Sequence, residues 1–175
     1  RLGAGRGSRN PACVMLGTGF GFAVMREGRV LVNERRAPAL SLWNRAFRGG
    51  IVEDTLSRRG IRAAYAARTG LAHAPDVRDL ADAARMGDAA AREIFLETGA
   101  ALAELMGPIL TELDCDRLIL GGQIAGAADL FGAYERALPC PAALSAMPER
   151  AGVLGAALFR PPASDFERPW EVKSD

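Results

Sequence analysis

Three short apolar runs open the chain, ACVML at residues 12–16, FAVM at 22–25 and RVLV at 29–32, separated by the glycine-rich residues 17–21 and by the charged turn REGR. Runs of this length bounded by turn residues predict strands, here an antiparallel meander. Residues 51–70, IVEDTLSRRGIRAAYAARTG, change to helical spacing in two pieces divided at Gly60, with Gly70 as a carboxyl-terminal stop. Asp76 is the expected N-cap of a helix whose Val77, Leu80, Ala81 and Ala84 share one face before Gly87 ends it. Asp88 caps the next, where Ile94, Thr98, Leu102, Leu105 and Ile109 recur at steps of three and four and Pro108 is expected to kink the end. DRLILGG then reads as an apolar strand running into two glycines, followed by a helix with Leu130, Tyr134 and Leu138 on one side. A last strand near PAALSAM, a small-residue helix at AGVLGAALF and a Pro-rich charged arm from Pro161 complete the chain. The order β, β, β, α, α, β, α, β, α predicts an α/β fold, a mixed sheet covered by helices.

With 175 residues, 49% apolar and 25% charged, the chain suits one ordinary core. Its apolar stretches are broken by Gly, Pro or charge before the ~20 residues that cross a bilayer, and no charged-then-apolar leader opens it, so the expected location is cytoplasmic with no membrane partner. Residues 1–70 hold 13 Arg against 4 acids, a net +9, while the remainder carries −8. Such a positive field suits a polyanion, either a nucleotide phosphate or a nucleic acid. A drift from Lys to Arg, Lys173 being the one lysine, and a solvated face account for the same bias. Cys13, Cys115 and Cys140 lie too far apart in sequence for a Cys-x-x-Cys pair and read as buried free thiols. The single histidine, His73, reads as a surface or packing residue.

Two glycine stretches carry the candidate chemistry. At Gly17, Thr18, Gly19 and Gly21, glycine permits positive φ and removes the Cβ that would hold a ligand away from the backbone, so several N–H groups and the Thr18 hydroxyl can converge on a phosphate. Gly121 and Gly122 end a strand expected inside the sheet, the end where open α/β sheets bind ligands and where a purine or ribose can approach closely. An ordinary hairpin turn and a plain strand-to-helix turn would look much the same.

In order and spacing, VMLGTGFG, VEDTLSRRGI, DRLILGGQIAGA and AGVLGAALF resemble the second half of the ROK family, bacterial sugar kinases and sugar-responsive repressors of the actin-like ATPase (ribonuclease H-like) superfold, over nearly the whole chain from about Gly3 to Phe159. The resemblance implies a carboxyl-terminal nucleotide-binding lobe over residues 1–160 with a surface tail at 161–175. It implies that Gly17, Thr18, Gly19 and Gly21 form a phosphate loop for Mg-ATP and that Gly121 and Gly122 line the adenosine. Glu53 matches a family Glu that binds sugar hydroxyls, a task suited to two acceptor oxygens; a first-turn Glu favouring the helix amino terminus is the plainer reading.

The departures also bear on function. Where family kinases carry Glu-x-Gly-His and a Cys-rich zinc motif, this chain reads NERRAPALSLWNRAFRGGI, without His or Cys, so no zinc is expected. The family's Asp-Gly-Gly-Thr loop and catalytic Asp belong to an amino-terminal lobe and do not occur in these residues, so no catalytic residue is assigned here and this lobe alone is expected to be inactive. Three functions follow from the resemblance: the nucleotide-binding half of an ATP-dependent sugar kinase, a sugar-sensing regulator lobe that meets nucleic acid through another domain, or an inactive oligomerisation lobe. The implied partners are a sugar, the amino-terminal lobe of the same protein and a second copy in a homo-oligomer.

Overall fold

The computed structural model describes residues 3–146. The helix expected at AGVLGAALF and the arm from Pro161 lie outside them. A five-stranded sheet runs in the order β3-β2-β1-β6-β7, formed by β1 (Pro11–Leu16), β2 (Phe20–Arg26), β3 (Arg29–Val30), β6 (Arg117–Gly121) and β7 (Ala142–Leu144). The meander is antiparallel as expected, whereas β6 pairs parallel to both β1 and β7 and so lies inside the sheet. Side chains alternate in strands, and here Ala12, Val14 and Leu16 of β1, Phe20, Phe22 and Val24 of β2 and Leu118 and Leu120 of β6 are all buried. On the opposite face Met15 is exposed and Cys13 half-buried.

Four helices stand between the meander and β6: α1 (Val52–Thr55), α2 (Arg58–Thr69), α3 (Val77–Arg85) and α4 (Ala89–Glu112). Asp76 accepts Val77 N–H at 2.7 Å and Asp88 accepts Ala91 N–H at 2.9 Å, the two caps read from the sequence. Gly70 takes the left-handed conformation that closes α2, with φ of 74°. In α4, Ile94, Phe95, Leu102, Leu105, Met106 and Ile109 join the sheet residues in one hydrophobic cluster. The buried Thr98 hydroxyl donates to Ile94 O, which satisfies it within the helix. α4 is long and apolar enough to cross a membrane by length and composition, yet 61% of its most apolar window is buried inside the protein. It is the core helix of this fold.

Three expectations are corrected. The break within 51–70 falls at Leu56–Ser57, not at Gly60, because the Ser57 side chain caps α2 while Gly60 lies inside that helix against Asp54 O. The segment after β6 is not one α-helix but two 3-10 turns, Gln123–Leu130 and Tyr134–Ala137, separated at Gly132, whose φ is 66°. A small hairpin, β4 (Ala46–Phe47) and β5 (Gly50–Ile51), was not foreseen; it turns through Arg48 and Gly49, both at positive φ.

Candidate functional site

The parallel register of β1 and β6 decides where the two glycine stretches go. Met15 pairs with Gly121, so the strands end together and Gly122 stands against Leu16, the residue that leads into 17–19. The contact is direct: Gly122 has φ of 84°, and a Cβ there would run into Leu16 O. Both the backbone angle and the close approach require glycine at this position.

At the hairpin tip one of the two expected reasons for glycine, positive φ, does not hold. Gly17, Gly19 and Gly21 are absent from the positive-φ residues, so freedom of φ is not what they provide. Gly17 faces open space. A Cβ on Gly19 would lie 2.6 Å from Glu53 Oε2, and Gly21 and Gly121 would each meet Met15, the paired residue on β1. Met15 therefore rests in a trough between two glycines on adjacent strands. Gly17 N–H donates to Gly19 O across the tip at 3.1 Å, and Phe20 N–H donates to Glu53 Oε2 at 3.2 Å. The amides of Thr18 and Gly19 have no partner among the described residues, and Thr18 is exposed. Unpartnered N–H groups beside an exposed hydroxyl fit a phosphate, which accepts but does not donate.

The main chain around Glu53 is held at three points. The Glu53 N–H donates to Trp43 O at 3.0 Å, its carbonyl accepts the buried Ser57 hydroxyl at 2.6 Å, and Arg58 N–H donates to Gly17 O at 2.9 Å, fastening the α1–α2 junction to the hairpin. The helix-start role goes to its neighbour: Asp54 accepts Ile51 N–H at 3.0 Å and Arg59 Nη2 at 2.8 Å. Glu53 is thereby free to turn toward the corner, with Arg59 3.7 Å from its Oε1. Trp43, Ser57, Phe20 and Leu16 were not singled out from the sequence. Of these only Ser57, a hydroxyl just ahead of a helical run, carried a readable signal.

His73 is exposed. Cys115 and Cys140 are buried and Cys13 half-buried, all unpaired; burial raises all three thiols, Cys115 to about 11. A concavity of about 810 Å³ lies elsewhere, between α4 and residues 131–139. None of the glycines of the corner lines it.

The sequence profile of the ROK family matches residues 47–159. No curated protein matches the chain. Among solved structures, a ROK hexokinase from Thermus thermophilus is similar with a TM-score of 0.69 at 23% identity, over 90% of this chain and 58% of that one. A ROK family glucokinase from Streptomyces griseus, in complex with glucose and AMPPNP, gives 0.77 at 19% identity over 88% and 61%. A ROK family transcriptional regulator, a homologue of the E. coli MLC protein, gives 0.67 at 19% identity over 81% and 43%. The shared fold is that of an actin-like ATPase lobe, and the chain spans about three-fifths of the length of the two kinases.

Proposed function

The chain belongs to the ROK family, and from that membership we propose that it is the nucleotide-binding half of a cytoplasmic, ATP-dependent sugar kinase that transfers a phosphoryl group from Mg-ATP to a sugar hydroxyl. The observation that carries this reading is the close approach of Gly122 to Leu16 at one sheet end, directly before Gly17–Gly19, where the Thr18 and Gly19 amides have no partner among the described residues. The amides and the Thr18 hydroxyl would hold the phosphates, and Gly121–Gly122 would admit the adenosine. Glu53 would accept a sugar hydroxyl. The base that takes the proton from the attacking hydroxyl would come from an amino-terminal lobe, because in-line transfer needs nucleophile and nucleotide held between two walls.

The test is phosphorylation of a panel of hexoses and amino-hexoses by the full-length protein with Mg-ATP. Transfer to at least one sugar is expected. A folded protein with no turnover on any of them would overturn the kinase reading. The interval 33–51, which lacks the His and Cys that family kinases carry there, favours a second reading, a sugar-sensing regulator lobe without catalysis. Sugar binding without phosphoryl transfer, together with sugar-dependent DNA binding, would select it.

A further inference from the structure

The Glu53 carboxylate touches the phosphate corner while its main chain is held elsewhere. Oε2 accepts Phe20 N–H at 3.2 Å and occupies the volume that a side chain at Gly19 would need. Oε1 stands 3.7 Å from Arg59 Nη2, an electrostatic neighbour beyond hydrogen-bond distance. The bonds through Trp43 O, the Ser57 hydroxyl and Gly17 O fix the backbone on both sides of the corner, so the carboxylate can turn without moving α1 or the hairpin. It has one neutral amide and one exposed cation to leave.

Two ligands would act on this group. A nucleotide phosphate at the Thr18 and Gly19 amides brings negative charge beside a carboxylate already lying against Gly19, and like charges at that range in a partly desolvated site repel. A sugar hydroxyl would donate to the same oxygens, compete with Phe20 N–H and draw the carboxylate off Gly19. We propose that Glu53 is a positioning residue that couples the two substrates: at rest it lies on the hairpin and opposes the nucleotide, and when a sugar hydroxyl engages it the corner accepts the nucleotide more tightly. The coupling rests on the sugar kinase reading above, and it makes sugar-first binding the favoured order.

The test is calorimetric titration of the full-length protein with Mg-AMPPNP, alone and with a saturating concentration of the panel sugar that is phosphorylated fastest. In the wild type the sugar should lower the Kd for Mg-AMPPNP about 5-fold or more, the lower end of ordinary coupling between sites. Glu53→Gln keeps an acceptor for Phe20 N–H but removes the charge; it should tighten sugar-free binding about 5-fold and reduce the sugar effect to within about 2-fold. A merely structural Glu53 would instead weaken sugar-free binding on this change, and that result, or a sugar effect of wild-type size, overturns the coupling. Arg59→Gln, which leaves Glu53 unneutralised, should weaken sugar-free binding and enlarge the sugar effect, so an unchanged effect counts against the proposal even where the Glu53 variant folds poorly. Wild-type protein that binds no Mg-AMPPNP would sink the nucleotide-binding reading and the coupling with it. Binding without any sugar effect would sink the coupling alone.

Discussion

A glycine can be required by its backbone angle or by what would touch its side chain, and the candidate site separates the two demands. At Gly122 both apply, with φ of 84° and Leu16 O in the way of a Cβ. Gly122→Ala should therefore destabilise the fold by about 2 kcal/mol or more, read from urea unfolding. Gly17 has ordinary φ and open space, so Gly17→Ala should stay within about 1 kcal/mol of wild type in the same assay while disturbing any ligand at the corner. Gly19 is the intermediate case, since its obstacle is the movable end of Glu53. A double-mutant cycle of Gly19→Ala with Glu53→Ala should show that alanine at 19 is better tolerated once the carboxylate is gone, with a coupling of about 0.5–3 kcal/mol. Equal effects of Gly19→Ala in both backgrounds would mean that the corner is not packed on Glu53.

Between elements, the link from α2 to α3 is ionic. Arg58 donates twice to the Asp76 carboxylate, at 3.0 and 2.7 Å, while Arg62 holds Ala74 O at 2.7 Å. The Arg58 hydrogen bond and the Val77 amide lower Asp76 to about 2. Because a carboxyl whose folded pKa is depressed favours the folded state above its unfolded pKa of about 4, this contribution should be complete above that pH and lost as pH falls toward about 2. Both side chains are about half exposed, so solvent screens the effect and it should be modest. Asp76→Asn should flatten the pH dependence of stability within that window, measured by urea unfolding at pH 2, 3, 4 and 7. The caps at Asp76 and Asp88, the stop at Gly70 and the inner strand β6 were legible because each depends on residues within a few positions of one another. What was not legible depends on distant partners. Gly60 looks like a breaker until Asp54 O is found against it, and Gly19 looks like a φ hinge until Glu53 arrives from 34 positions away. The helical spacing of Leu130, Tyr134 and Leu138 gave no sign of the left-handed Gly132 that divides the segment into 3-10 turns.

For the molecule as a whole, the division of charge between a basic first part and an acidic remainder admits two physical outcomes. If the arginines formed one open field for a polyanion, they would repel each other and added salt would stabilise the fold. The fold instead brings several of them to acids of the other part: Arg48 to Glu104, Arg58 to Asp76, and Arg68 to Glu93 and Glu97 at 3.2 and 2.7 Å. Each joins different elements, so part of the asymmetry is taken up in surface contacts of the second helix and the small hairpin with their neighbours. Exposed pairs of this kind contribute about 0–1 kcal/mol each. Raising NaCl from about 0.05 to 0.5 M, across which the Debye length shrinks from roughly the width of a small domain's surface patch to a few ångströms, should therefore lower stability slightly. Arg68→Gln, which removes two pairs at once, should lose about 1 kcal/mol at low salt and less at high salt. Stabilisation by salt, in the absence of any bound anion, would show that repulsion among the remaining arginines dominates and that the first part does present an open cationic surface.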